Sequence, residues 1–176
     1  MTQLSYVHAR KTGGTSIIDF FKEIGVKISV FSSLKNVPDD TFIFASVRNP
    51  YERAVSGWKY CSSTKYKTLA VALKYPPKKT DIPKEYWLSV GHDYRHFTKS
   101  QTESYVWESK RIDWLLRAET LADDMKKMCD HLSIDTKSTT IKVLRKGTYE
   151  YDLTDLDREL IYERFKNDFI NFNYQK

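Results

Sequence analysis

The chain has 176 residues, 40% hydrophobic and 14% aromatic, which suits one domain with a sizeable core and excludes a disordered chain. Lys plus Arg number 29 against 23 for Asp plus Glu, a net charge of +6 that suits an anionic ligand. The two cysteines, Cys61 and Cys129, lie far apart and read as reduced and structural, which excludes a disulfide scaffold. No stretch reads as a signal peptide or a transmembrane helix, so a cytoplasmic or otherwise soluble protein is expected.

Leu4 to Ala9 is short, apolar and partly β-branched or aromatic, and predicts a buried strand. Arg10-Lys11-Thr12-Gly13-Gly14-Thr15-Ser16 follows, and Gly13-Gly14 breaks the strand with a turn. From Thr15, apolar positions 17, 18, 20, 21 and 24 predict a helix ending at Gly25. Strand, glycine turn and helix aim backbone N–H groups and a helix N-terminus at an anion. Lys11 adds a full positive charge, and Thr12, Thr15 and Ser16 add hydroxyls, so the expected ligand is a phosphate or a similar group. A Walker loop is excluded because Lys11 precedes both glycines. A dinucleotide fingerprint is excluded because Gly-x-Gly-x-x-Gly is absent.

Val26 to Phe31 alternates and predicts a second strand, and Ser32 to Asp40 reads as a polar connection. Thr41 to Val47 is another buried-strand candidate, running into Arg48-Asn49-Pro50-Tyr51-Glu52-Arg53. Asn49 is a suitable N-cap, Pro50 suits the first helical position, and Glu52 sits where a capping-box acid belongs. Arg48 at the strand end and Ser56 in the helix make a second candidate anion pocket. Arg53 lies one turn before Ser56 and reads either as part of that pocket or as a surface charge.

Periodicity weakens from Thr64 to Ser104. Lys74 to Pro83 reads as a basic, proline-rich exposed loop and Glu85 to Val90 as a short helical turn. His92 and His96 lie here, followed by Gln101-Thr102-Glu103-Ser104-Tyr105. Ile112 to Arg117 predicts a strand, and Thr120 with Asp123 predicts the start of a helix. Leu121, Met125, Met128 and Leu132 form its core stripe. Thr139 to Leu144 predicts a β-branched strand ending in the basic turn Arg145-Lys146-Gly147. Thr154 and Asp157 open the last helix, with Leu156, Leu160, Phe165 and Phe169 expected on one face. The four histidines show no paired metal-ligand spacing.

The order Lys11-Thr12-Gly13-Gly14-Thr15-Ser16 resembles the phosphosulfate-binding loop of sulfotransferases, in particular the carbohydrate and heparan-type branch. Arg48 and Ser56 match the positions of that family's 3′-phosphate motif. Arg145-Lys146-Gly147 resembles the loop that cytosolic sulfotransferases place on the same phosphate, and Asp168 to Tyr174 looks like the close of the carbohydrate branch.

The strands and helices predict one α/β domain over residues 1–176, with a mostly parallel sheet of four or five strands flanked by helices. The resemblance implies a P-loop-like architecture of the kind shared with nucleoside kinases, and a variable acceptor segment around 64–105. It also implies 3′-phosphoadenosine 5′-phosphosulfate as co-substrate, adenosine 3′,5′-bisphosphate as product and no metal. The implied acceptor is a glycan or another hydroxyl-bearing molecule, and no nucleic acid is expected. Cofactor contacts fall to Arg10, Lys11, Thr12, Gly13, Gly14, Thr15, Ser16, Arg48, Ser56, Arg145, Lys146 and Gly147, with Lys11 and His96 in catalysis.

The chain departs from the heparan-type pattern in one respect. Those enzymes often carry a histidine base between the first helix and the arginine-bearing strand, and none lies between Ile17 and Phe44 here. His96, His92, His8, Asp93 and Glu103 remain as alternatives for the base. Two other readings stay open: a relative that binds the nucleotide without turnover, and a basic nucleic-acid-binding protein using the Lys/Tyr run at 59–67.

Overall fold

The computed structural model describes residues 3–61, 68–74, 99–106, 110–137, 139–140 and 151–176. They gather into two compact units, Met1–Arg48 with Gln101–Lys146, and Asn49–Ser100 with Gly147–Lys176.

The first unit is built on a sheet of four strands, β1 (Leu4–Val7), β2 (Ile28–Phe31), β3 (Phe42–Val47) and β4 (Trp114–Arg117). Their order is β2-β1-β3-β4 and every pairing is parallel. The sequence explains this arrangement. β1 is buried at every position and β3 at all but its first. Strands buried on both faces belong inside a parallel sheet, whereas strands with one wet face alternate. Because all four strands run the same way, the segments that follow β1, β3 and β4 leave from one edge of the sheet.

Helix α1 (Gly14–Glu23) connects β1 to β2. It buries Ile17, Phe20 and Phe21, the positions its apolar spacing predicts. The chain turns out of the helix at Gly25, where φ is +74°. Helix α5 (Leu121–His131) buries Leu121, Met125, Met128 and Cys129. These residues form one core with Leu4, Tyr6, Phe44 and Leu116 of the sheet. Phe44 touches both Tyr6 and Phe21, with ring centroids 5.0 and 5.6 Å apart. Each fully buried aromatic of this kind stabilises the fold by about 1.5–3 kcal/mol.

Two local expectations change. The start of α5 pairs Thr120 with Asp124, not Asp123. Asp124 Oδ2 accepts from the Thr120 hydroxyl at 2.9 Å and from the Arg117 N–H at 2.8 Å. A 3-10 turn over Ala118–Thr120 precedes the helix and shifts the acid by one residue. The connection from Ser32 to Asp40 is not wholly polar, since Leu34 and Val37 are buried around a 3-10 turn at Leu34–Asn36. Lys110 ties it down by donating to the Val37 carbonyl and pairing with Asp39 at 3.0 Å.

The second unit holds α2 (Pro50–Cys61), α3 (Leu69–Lys74) and α6 (Asp155–Asn171). Asn49 caps α2 as expected, its Oδ1 accepting from the Tyr51 N–H at 2.9 Å. Thr154 and Asp157 make the expected capping box on α6. Tyr51, Ala54, Val55, Leu69, Ala72, Leu73, Ile161, Phe165 and Phe169 form the core. Leu156 does not join it and is 46% exposed, while Ile161 does. The helix departs from regular geometry at Phe165 (φ −117°, ψ 26°), yet its buried positions, Asp157, Ile161, Phe165, Asp168 and Phe169, keep helical spacing, and Leu156 stands one position off that stripe.

Arg53 is neither a surface charge nor an open donor. It is buried, its guanidinium 3.7 Å from Asp168 and donating to the Lys99 carbonyl at 2.7 Å, and it lies over the Phe165 ring.

Among the described residues no helix is long and apolar enough to cross a membrane. The helical turn expected at Glu85 to Val90 lies outside the described residues, as do the loop from Lys74 to Pro83 beyond Lys74 and the strand from Thr139 to Leu144 beyond Thr140.

Candidate anion-binding site

The loop after β1 leaves the sheet in steps fixed by hydrogen bonds. The His8 N–H still donates to the Phe31 carbonyl at 2.8 Å, continuing the ladder to β2. The next N–H, that of Ala9, donates at 3.0 Å to the hydroxyl of Tyr105, on α4 (Thr102–Tyr105). That hydroxyl in turn donates to the Ser46 carbonyl of β3. One tyrosine thus ties together the ends of two neighbouring strands.

The turn itself requires two left-handed residues, Lys11 at φ +67° and Gly13 at φ +91°. A glycine adopts this without cost; a lysine is held there by its surroundings. Helix α1 then starts at Gly14 with no side-chain cap and no acid in its first turn. The positive end of its dipole therefore meets no carboxylate of its own helix. Leu121 Cδ2 would lie only 3.2 Å from a Cβ at Gly13, so the start of α5 packs directly on the turn.

The three loop hydroxyls fare differently. Thr12 was expected to offer its hydroxyl to the ligand; it is fully buried instead. It donates to the Ala9 carbonyl at 2.7 Å and shares a hydrogen bond with Ser46 Oγ at 2.7 Å. Ser46 Oγ also bonds the Tyr6 hydroxyl at 2.5 Å. The Thr12 side chain therefore pins the loop to β3. Ser16 is buried in the first turn, and Thr15 is exposed.

Arg48 follows β3 directly and is half-buried. Its backbone is clamped by Gln101, which accepts from the Arg48 N–H at 2.8 Å and donates to the Arg48 carbonyl at 2.9 Å. Arg48 closes one stretch of the first unit, and Ser56 is a buried residue of α2 in the second.

Among the alternatives for a base, His8 is half-buried, and burial together with the Arg10 guanidinium pulls its imidazole down to about 4. It is neutral near pH 7. Glu103 is exposed on α4. His92, Asp93, His96, Arg145, Lys146 and Gly147 lie outside the described residues.

Sequence reasoning gave Gln101 and Tyr105 no structural role, yet they fix both candidate motifs. The available signal was their spacing of four, which puts both on one side of a helical turn. The chain matches no protein-family model, no curated protein and no solved structure.

The loop thus sets a left-handed turn beside a helix N-terminus, with Arg10 and Lys11 in the same stretch.

Proposed function

We propose that this chain is a sulfotransferase that moves a sulfuryl group from 3′-phosphoadenosine 5′-phosphosulfate to an acceptor hydroxyl on a carbohydrate. The observation that carries the reading is the turn from Lys11 to Gly13 opening into the uncapped first turn of α1. A glycine-cradled helix N-terminus with a lysine beside it fits the phosphosulfate end of the nucleotide. Arg10, Lys11 and the backbone from Thr12 to Ser16 are assigned to that end. Arg48, with Arg145 and Lys146 of the same unit, is assigned to the 3′-phosphate.

The nucleotide, when bound, supplies an activated sulfuryl group and a phosphate leaving group. The transfer breaks the sulfur–oxygen bond to the 5′-phosphate and forms one to the acceptor oxygen, whose proton passes to a base. Lys11 neutralises the charge that grows on the phosphate oxygen as the bond breaks, and the first-turn N–H groups add fixed donors. His96 is assigned as base, with His92, Asp93, Glu103 and His8, already neutral near pH 7, as alternatives. Residues 64–105 are assigned to the acceptor, with Lys78, Lys79, Tyr86, Trp87 and Tyr94 available to meet a charged sugar; these five lie outside the described residues.

The deciding experiment measures thermal stabilisation by adenosine 3′,5′-bisphosphate, ATP, NAD and an oligonucleotide in parallel, followed by sulfate transfer to a desulfated heparan-type oligosaccharide. Selective stabilisation by the bisphosphate plus transfer is the expected result. Equal stabilisation by all four, or oligonucleotide binding that collapses with salt, overturns the reading. Selective binding without transfer to any glycan leaves a nucleotide-binding relative.

A further inference from the structure

The glycine at position 14 leaves a space that a neighbour fills. A Cβ built on Gly14 would stand 2.2 Å from His8 Nε2, 2.5 Å from Cδ2 and 2.6 Å from Cε1, so the tip of the imidazole occupies that spot. In a helix the Cα–Cβ bond leans toward the N-terminus. The ring tip therefore lies directly beside the first turn of α1, whose N–H groups point toward the helix N-terminus. The ring is held from other sides too. Tyr6 stacks against it at 5.5 Å and 19°, and the His8 N–H is anchored to Phe31 of β2.

We propose that His8 is a member of the anion site, and that a dianion bound at the first turn of α1 favours its imidazolium form, so that proton and anion each bind more tightly in the presence of the other. The proposal rests on the reading of this loop as an anion site and does not depend on which anion carries the charge. The surroundings explain the neutral state. Burial and Arg10 both disfavour a positive ring and hold it at about 4. Of the elements packed on the ring, β1 contributes Tyr6, whose phenol burial pushes far above its usual range, so it stays uncharged. The main chain of His8 is tied to the Phe31 carbonyl of β2, and α1 places no acid in its first turn. The loop contributes Arg10, with Lys11 next to it. A dianion at the helix N-terminus opposes the positive charges of the loop. The proton comes from solvent and stays on the imidazole; no other bond changes.

Linkage makes the effect reciprocal. Each unit by which the anion raises the imidazole pKa is a tenfold preference of the anion for the protonated protein, about 1.4 kcal/mol. Affinity therefore rises as pH falls through the His8 midpoint of the complex.

The test is an NMR titration of the His8 ring resonances on the full chain, in chloride, in saturating sulfate at equal ionic strength, and with adenosine 3′,5′-bisphosphate. Sulfate keeps its double charge throughout, so any shift belongs to the protein. The expected result is a His8 midpoint near that of the free protein in chloride and about one unit higher or more in sulfate. His8→Gln, which keeps a donor but cannot titrate, is expected to bind sulfate with an affinity that no longer tightens toward acid. A His8 midpoint that stays unchanged in sulfate overturns the proposal, and the wild-type titration gives that answer without any variant. The nucleotide arm reports on the sulfotransferase reading separately: a ring that answers sulfate in a chain that ignores the bisphosphate keeps this proposal and sinks that one.

Discussion

Gln101 holds the main chain of Arg48 with both ends of its amide, accepting from the N–H at 2.8 Å and donating to the carbonyl at 2.9 Å. It does for the end of β3 what a further strand residue would do. Gln101→Ala strips two main-chain groups of their partners beneath a buried side chain. The expected loss is about 1–3 kcal/mol in urea unfolding. Adenosine 3′,5′-bisphosphate affinity is expected to fall with it, because Arg48 loses its fixed starting point. Unchanged stability would show that solvent replaces the amide.

On the sulfotransferase reading, Lys11→Ala should leave the unfolding midpoint near that of the parent chain and abolish sulfuryl transfer, since that reading puts the charge at a leaving oxygen rather than in the core. Arg48→Ala should weaken adenosine 3′,5′-bisphosphate more than adenosine 5′-phosphate, by about 1.5–3 kcal/mol. Calorimetry with both nucleotides checks this. Equal losses would remove Arg48 from the 3′-phosphate.

Stability should depend on His8 in a definite direction. In the native protein the imidazole sits at about 4, against an ordinary value near 6.5 when unfolded. Between those values the unfolded chain binds the proton and the native chain does not, so stability falls as pH drops. The contribution is fully present above about pH 6.5 and lost on the way down to about 4, roughly 3 kcal/mol in all. Urea unfolding at a series of pH values should show this slope in the parent and a flatter one in His8→Gln.

Arg53 and Asp168 are both buried, so removing one takes the opposite charge from beside the other. Arg53→Met alone should cost about 3–5 kcal/mol, and Arg53→Met with Asp168→Leu should recover much of it. Chemical denaturation of the two variants decides it. Similar losses in both would mean that the Lys99 carbonyl and the Phe165 ring carry the arginine's role.

Most of the sheet was legible because β1 and β3 carry apolar residues at consecutive positions, which a parallel sheet alone accommodates well. The glycine turn, the Asn49 cap and the Thr154–Asp157 box were legible because each is a local rule satisfied by neighbours in sequence. What escaped depends on distant residues. The Thr12 hydroxyl reads as a ligand donor until Ser46 comes within 2.7 Å of it. Arg53 reads as a surface or pocket charge until Asp168 is brought to it, and a sequence pattern carries no record of that meeting. Leu156 fits a helical stripe of apolar residues, but the face that packs begins one residue later, at the buried Asp157.

The left-handed backbone at Lys11 separates what keeps that residue from what keeps the fold. A side chain at φ +67° costs about 1–2 kcal/mol relative to a right-handed residue, and glycine avoids that cost while losing more chain entropy. Lys11→Gly should therefore leave stability level or raise it by up to about 1 kcal/mol. A library sorted only for resistance to proteolysis would drift to glycine at position 11, and the same library sorted for anion capture would return to lysine. Position 11 is thus a gauge of selection: which residue stands there tells whether a population was kept for its folding or for its chemistry.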